Sequence, residues 1–377
     1  MTGKSAYDAR ISVVRGLMHA HGLDYLLVGP SADMVYLAGA HLRPSERLAA
    51  FVLPQEGPPH FVVPGFEAPS LPPLPAGTQL HTWGESQNPA HLVAQLIADG
   101  LRARPGGVNC TIGVAERLWA VFLLRLQAEL PRAAFTPATA VLSGARQVKS
   151  AEEIALMHEA GAHADEAFAE LVMLPFIGRP EVEISHEFAR ILGAHGLTVT
   201  DPPLVGSGPN SASAHHHSGE RVIERGDAIV LDFWGTWKGY GFDCTRTVFA
   251  GELPAPDSEE ARVYSIVAQA QEAGVRAAEA GMECQTLDSV AREIITGAGY
   301  GEYFSHRLGH GLGLDIHEPP YIVQGNSTRL QNGMVFSIEP GIYIPGRFGV
   351  RIEDIVALVE GRAVRLNNSE RGMIGVG

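Results

Sequence analysis

Four acidic residues follow or enter apolar, strand-like runs, and this pattern constrains the chain more than any other feature. Asp232 follows four apolar residues in AIVLDFWG, and Asp243 lies in YGFDCTRTVF. Glu339 lies in MVFSIEPGIY, and Glu353 lies in GVRIEDIVALV. A carboxylate inside a buried strand costs several kcal/mol unless it is paired or binds a cation. The fold must therefore bring compensating charge to these four side chains.

The segments between the paired acids predict two hairpins. Residues 235–241 (GTWKGYG) separate the two aspartates, and residues 340–350 (PGIYIPGRFGV) separate the two glutamates. Both segments carry the glycine or proline residues that are typical of hairpin connections, so each pair is expected on adjacent strands. Four clustered carboxylates repel one another and resist ionising together. Divalent cations resolve that conflict, and oxygen ligands favour Mn, Mg, Zn or Co.

Several histidines are candidates to complete such a site. His310 lies between glycines in HRLGHGLGLDIHEPP, and His317 follows seven residues later. His215 opens a triplet of histidines after the turn GPN. Each of these residues alone is more often a solvated loop residue than a ligand, but their combination favours a site for two ions about 3.5–4 Å apart. The predicted ligands are Asp232, Asp243, His310, Glu339 and Glu353.

The length of 377 residues predicts two domains, at 1–147 and 148–377. Helix and strand signals alternate in the first domain, as in a small α/β fold. Its predicted features are a helix at Tyr7–His21, apolar runs at Tyr25–Val28, Met34–Leu37, Leu48–Leu53 and His60–Val63, and a proline-rich loop at Pro69–Gly77. In the second, α+β domain, Ser150 and Glu153 have capping-box spacing, and a helix-helix-strand order occurs twice. Its predicted helices are Ala151–Leu174, Glu181–His195, Ser258–Ala280 and Thr286–Ala298.

Composition excludes several classes of function. Hydrophobic residues make up 45% and charged residues 19%, which is typical of a globular protein. The net charge of -14 disfavours binding to nucleic acid or to anionic membranes. The three cysteines form no CxxC pair, the N-terminal segment lacks a signal-peptide pattern, and no apolar run approaches about 20 residues. We therefore expect a cytoplasmic protein.

The motifs resemble those of the pita-bread metallopeptidases, and within them the prolidase and aminopeptidase P branch. The resemblance covers residues 150–370, through FDCTRT, GHGLG, SIEPGIY and VRIED, and more weakly the first domain, through GLDYLLVGPSADMVYLAGA. It implies that Asp232 binds one metal ion and that Asp243 and Glu353 bridge both ions. It also implies that His310 and Glu339 complete the second ion's ligands and that Glu339 carries a proton during catalysis.

The resemblance also implies residues that bind substrate. His215 and His317 match histidines that hold substrate and stabilise the tetrahedral intermediate, and Arg351 matches an arginine that supports Glu353. His306 suits the rim of an apolar proline pocket. Ala214 departs from the pattern, because relatives commonly have proline before the first histidine.

The implied reaction is hydrolysis of an Xaa-Pro peptide bond by a homodimer with two divalent ions, with Mn expected and Zn or Co as alternatives. We expect a preference for dipeptides, as in a prolidase, and two alternatives stay open. The first is an aminopeptidase P that acts on longer peptides, and the second is a non-catalytic binding module. A dipeptide carries a free carboxylate that an arginine can bind bidentately, and Arg43 and Arg47 in AHLRPSERLA are the candidates for that contact.

Overall fold

The computed structural model describes residues 4–102 and 109–377. The chain divides into two compact units, Met1–Arg146 and Gln147–Gly377. In the described part of the first unit, helices α1–α5 span Lys4–Ala20, Ala32–Ala38, Pro89–Arg102, Ala120–Glu129 and Thr139–Arg146. Strands β1–β6 span Tyr25–Val28, Ala50–Pro54, His60–Pro64, Gln79–Trp83, Thr111–Val114 and Ala134–Pro137.

The first unit is built around a six-stranded mixed sheet with the order β4-β3-β2-β1-β5-β6. Every residue of β1 is buried, as expected for a central apolar strand without polar alternation. Two of the predicted apolar runs fall largely in β2 and β3, but Met34–Leu37 lies in α2. A four-residue run cannot distinguish a strand from a buried helix turn, and Ala32 and Ala38 extend this one as helix.

The second unit alternates helix pairs with strands, twice along the chain. Its helices α6–α9 span Ala151–Leu171, Glu181–Ala194, Glu259–Ala277 and Cys284–Gly297. Its strands β7–β17 span Leu204–Ser207, Ala228–Trp237, Tyr240–Ala250, Gly309–Gly311, Glu318–Ile322, Val335–Ile338, Gly341–Ile344, Phe348–Arg351, Asp354–Val359, Arg362–Arg365 and Gly375–Val376. The predicted capping box is confirmed, because Ser150 and Glu153 exchange hydrogen bonds at 2.8 and 3.2 Å. None of the described helices has the length and apolar character needed to cross a membrane.

The first predicted hairpin is formed by β8 and β9. The prediction that residues 235–241 form its connection is wrong, because both strands continue to a two-residue turn at Lys238 and Gly239. These two residues have φ values of 50° and 86°, as a twisted two-residue hairpin turn requires. Asp232 pairs with Thr245, two positions from Asp243, so both carboxylates lie on one face of the ribbon.

The second predicted hairpin opens where its two glutamates lie. Ile338 pairs with Asp354 in β12 and β15, and the pairing resumes between β13 and β14. In the interruption, the Glu339 amide donates to the Leu308 carbonyl at 2.9 Å, and the Glu353 amide donates to the Thr245 carbonyl at 3.0 Å. The opening therefore attaches both glutamates to neighbouring segments, one of which is β9.

Apolar cores lie behind the strands that carry the acids. Phe168 from α6 and Phe188 from α7 pack on Phe233 of β8, with ring centroids 5.8 and 4.7 Å apart. Successive side chains of a strand point to opposite faces, so burying Phe233 in this core turns Asp232 to the other side. Helices α8 and α9 cover a second core, which contains Phe336 of β12.

Candidate metal centre

The structure brings together the ligand atoms of all five predicted metal-binding residues. Three overlapping groups have ligand atoms within 4.8 Å of one another: Asp232 with Asp243 and Glu353, His310 with Glu339 and Glu353, and Asp243 with His310 and His317. Four of these side chains are carboxylates from two hairpins, and His310 enters from β10. His317 lies at the edge of the cluster, with its ring centroid 4.0 Å from that of His310.

His310 presents a free lone pair to the carboxylates. Its Nδ1 lies 3.1 Å from the Gly311 carbonyl, which can only accept, so the proton is on Nδ1. Its Nε2 then faces a Glu339 oxygen at 3.4 Å and an Asp243 oxygen at 3.7 Å. Burial lowers the pKa of His310 to about 3, so the ring is neutral. A cation between these lone pairs would remove their repulsion, as in a metal-binding histidine fixed by a carbonyl.

Glycines on both sides of His310 allow this close packing. A Cβ atom at Gly309 would overlap the Ser337 carbonyl, and one at Gly311 would overlap the backbone of Glu318 and Pro319. The GHG sequence is therefore a steric requirement of a strand squeezed between two neighbours.

Asp243, Glu339 and Glu353 have raised pKa values when no cation is present. Burial, followed by the charges of Glu353 and Asp232, raises the pKa of Asp243 well above its ordinary value. Burial and the charges of Glu339 and Asp232 do the same for the pKa of Glu353. Burial raises the pKa of Glu339 to about 7, although Arg351 opposes that rise. Four hard oxygen ligands with one neutral imidazole fit divalent cations, which would replace those protons.

Arg351 contacts Asp232 rather than the glutamate it was predicted to support. Its buried guanidinium donates to four acceptors: Asp232 Oδ2 at 2.8 Å, Thr245 Oγ1 at 2.9 Å, the Tyr343 hydroxyl at 2.8 Å and the Ala214 carbonyl at 3.2 Å. Thr245 connects Arg351 to Glu353 indirectly, since its hydroxyl lies 2.7 Å from Glu353 Oε2. Thr245 and Tyr343 were not among the predicted site residues, because neither carries a charge, although Thr245 lies in the FDCTRT motif and Tyr343 in the SIEPGIY motif, which were the available signals.

The predicted substrate-binding histidines occupy two kinds of environment. His215 and His317 are exposed, and His215 lies close enough to lower the pKa of both His317 and His306. His306 differs, because its Nδ1 donates to the Arg307 carbonyl at 2.7 Å and its Nε2 lies 2.9 Å from the Tyr343 hydroxyl. Burial and the charge of Arg351 lower the pKa of His306 to about 3. In this arrangement both ring nitrogens of His306 have protein partners.

The two arginines predicted to bind a substrate carboxylate lie in the first unit. Arg47 donates to Glu85 at 2.8 Å, also pairs with Glu46, and lies over the ring of Phe66. Arg43 is exposed. The assignment of a carboxylate to either residue stays a prediction.

Arg307 is a cation close to the metal centre that sequence reasoning passed over. Its guanidinium lies 4.4 Å from the ring centroid of Tyr321 and forms no ion pair with any residue in the described part of the chain. Its positive charge acts to lower the pKa of His310, His317 and Glu339. Its position three residues before His310 was the available signal.

A buried set of hard oxygen ligands with one neutral imidazole defines a divalent metal site of the kind found in hydrolases. The sequence matches the family described as Metallopeptidase family M24 over residues 155–360, and the Creatinase/Prolidase N-terminal domain over residues 10–148. The chain therefore belongs to metallopeptidase family M24 and has its pita-bread fold. It is a hydrolase of a family that uses divalent metal ions.

Individual relatives match nearly the whole chain. The chain is 38% identical over 374 residues to the "Probable dipeptidase PepE" of Mycobacterium bovis, with 98% of this chain and 96% of the relative covered. It is 34% identical to an Xaa-Pro dipeptidase of Lactobacillus helveticus, with 88% and 89% covered. The crystal structure of a prolidase from Thermococcus sibiricus matches with a TM-score of 0.90 and 34% identity, covering 98% of this chain and 99% of the other.

Proposed function

We propose that this protein is an Xaa-Pro dipeptidase with two divalent ions in the cluster formed by Asp232, Asp243, His310, Glu339 and Glu353. Mn is the expected metal, with Zn or Co as alternatives. The observation that carries the proposal is the convergence of these five ligands within a few ångströms, in a chain whose full-length relatives include Xaa-Pro dipeptidases. Asp243, Glu353 and His310 each belong to two of the ligand groups, and of these only the two carboxylates have a pair of oxygens with which each would contact both ions.

The protein's own groups divide the work of the reaction. Divalent cations supply Lewis acidity, which lowers the pKa of a water molecule and stabilises charge on a carbonyl oxygen. Glu339 takes the proton of the attacking water and delivers it to the proline nitrogen, which must be protonated to leave. Arg351 fixes the orientation of Asp232 through the 2.8 Å hydrogen bond. His215 and His317, exposed beside the cluster, bind the substrate and donate to the developing oxyanion.

Arg307 is a better candidate than Arg47 for binding the free carboxylate of a dipeptide. Arg47 already pairs with Glu85 and Glu46, whereas Arg307 stacks on Tyr321 beside the metal ligands. We expect R307A to raise KM for Ala-Pro by about 10–100-fold, because it removes a charge-assisted bidentate contact. We expect R47A and R43A to change it less than about twofold. Steady-state kinetics with Ala-Pro and Ala-Pro-Ala in all three variants measures this, and an unchanged KM in R307A would contradict the assignment.

Metal analysis combined with peptide assays tests the proposed function. Chelator-treated protein should be inactive, and titration with Mn should restore hydrolysis of Ala-Pro with a stoichiometry of two ions per chain. Ala-Pro should be cleaved faster than Ala-Pro-Ala, and Ala-Ala should be a poor substrate. A faster reaction with the tripeptide would identify an aminopeptidase P instead, and a stoichiometry of one ion would exclude the dinuclear site.

We further propose a cytoplasmic homodimer. Cys110, Cys244 and Cys284 all lie in the described part of the chain, are buried, and form no disulfide there, which suits a reducing compartment. Cell fractionation would test the location. Light scattering would test the dimer, with a monomer mass contradicting it.

A further inference from the structure

Glu181, the first residue of α7, is a buried carboxylate outside the metal centre. It is 0% exposed. It accepts hydrogen bonds from one loop: from the Ser207 amide at 2.8 Å, the Ser207 hydroxyl at 2.7 Å, Asn210 Nδ2 at 3.1 Å, His216 Nε2 at 2.8 Å and the Gly219 amide at 3.3 Å. These donors all belong to residues 207–219, which we call the His215 segment. One carboxylate therefore connects both ends and the middle of that segment.

His215 lies between two fixed neighbours in this segment. The carbonyl of the preceding residue, Ala214, accepts a hydrogen bond from Arg351 of the metal centre at 3.2 Å. The residue after it, His216, gives its Nε2 proton to Glu181. The backbone contact at Ala214 and the side-chain contact at His216 leave His215 exposed but limit the directions in which its ring can point. A proline before His215, which this chain lacks, would supply similar rigidity through its fixed φ.

The chemistry of Glu181 suits a clamp. Burial by itself would raise its pKa, but the hydrogen bonds from Ser207 and His216 outweigh burial and hold the pKa below the ordinary value. An ionised carboxylate only accepts, so it can receive all of these donors at once. A glutamine of the same shape would direct its own N–H groups at some of them.

We propose that Glu181 is a positioning residue for catalysis, which holds the His215 segment so that His215 meets the substrate. This inference rests on the proposed role of His215. Glu181 belongs to none of the metal-ligand groups, and it acts through His216 and Ser207. A displacement of about 1 Å in a catalytic group can lower turnover about 100-fold. Loss of the Glu181 hydrogen bonds, which would let His215 shift, is therefore expected to lower turnover measurably.

A double-mutant cycle tests this role. E181Q should lower kcat/KM for Ala-Pro by about 10–100-fold, with the bound metal unchanged. In the H215A background, E181Q should change kcat/KM by less than about threefold, because the residue through which Glu181 acts is already gone. E183Q is the matched control, since Glu183 lies on the same helix, is exposed and pairs with Arg179. Equal losses from E181Q in both backgrounds would overturn the proposal and leave a general structural role.

Hydrogen exchange of the manganese-loaded protein gives a second measurement that does not depend on activity. Amides of the His215 segment should exchange faster in E181Q and in H216L, while H216Q, which keeps a donor, should restore slow exchange and activity. Unchanged exchange in both E181Q and H216L would overturn the clamp. If E181Q does not fold, H216L and H216Q decide the question, because they alter only one of the donors.

The outcomes separate this inference from the proposed function. Wild-type activity in H215A would overturn the proposed role of His215, and this inference with it. Wild-type activity in E181Q, beside an impaired H215A, would overturn only the role of Glu181.

Discussion

Glu353 and Asp354 are consecutive buried acids with opposite electrostatic environments. Glu353 is 2% exposed, and Asp354 is 0% exposed. Glu353 faces other carboxylates, and its pKa is raised well above the ordinary value. Asp354 accepts from a set of donors: Arg246, Arg365, Arg371, Gln271 and Asn367, at 2.6–2.9 Å. Burial opposes its ionisation, but the charges of Arg246 and Arg371 lower its pKa to about 2.

This contrast separates a structural acid from a functional one. Glu353 lies just before β15 and Asp354 is the first residue of that strand, and the two side chains contact different groups: Glu353 the metal-ligand cluster and Asp354 the arginines. At Asp354 the fold supplies arginines, so the charge of this carboxylate is balanced without a bound ligand. At Glu353 it gathers acids, and a cation from solution must complete the site. Both acids are buried, so burial does not distinguish them. They differ in their hydrogen-bond donors, because three arginines donate to the carboxylate of Asp354 and no arginine in the described part of the chain donates to that of Glu353.

The largest effect is expected from neutralising the metal-binding side. E339Q or D243N should lower kcat for Ala-Pro by about 10⁴-fold, because each removes a metal ligand and E339Q also removes the proton carrier. Steady-state kinetics and metal analysis check this, with D257N as a control at an exposed acid. Retention of near wild-type kcat in either variant would refute the assignment.

Substitution of Asp354, the acid that is surrounded by arginines, should change the stability of the protein. D354N should lower the free energy of unfolding by about 3–5 kcal/mol, because it leaves buried arginines without their carboxylate. In chelator-treated protein, E353Q should leave that free energy unchanged or raise it, since it removes repulsion among carboxylates. Urea unfolding of both variants without metal provides the measurement. Equal losses in the two variants would remove the distinction between the acids.

A smaller effect is expected from pH. The pKa of Glu339 is about 7 in the folded protein and near 4.5 when unfolded, so the folded state holds the proton more tightly. Its contribution to the stability of the metal-free protein is therefore fully present below about pH 4.5 and is lost as pH rises through 7. Between pH 5 and 8, metal-free wild type should lose about 2 kcal/mol relative to E339Q. Parallel pH profiles for the two proteins would show that Glu339 is not protonated in the folded state.

The ligand residues were predictable because their signal is local. An acid at the end of an apolar strand is visible in a few letters, and so is a histidine between glycines. Glu181 and Asp354 were not predicted, because a glutamate in the first turn of a helix and the second acid of an ED pair are ordinary surface patterns. The connection of the first hairpin was placed too widely, because glycines at both ends of 235–241 suggested a loop where only Lys238 and Gly239 turn.

The sequence by itself determined that acids would adjoin or lie in apolar strands, that a histidine would join them, and that helices and strands would repeat in the second half of the chain. Only the tertiary structure decided which buried acid receives arginines and which is left for a metal ion. Arg351 reaches Asp232, and Arg246 reaches Asp354, across more than 100 positions of the chain. Local pattern specifies that a side chain is buried, but its donors arrive through packing between distant segments.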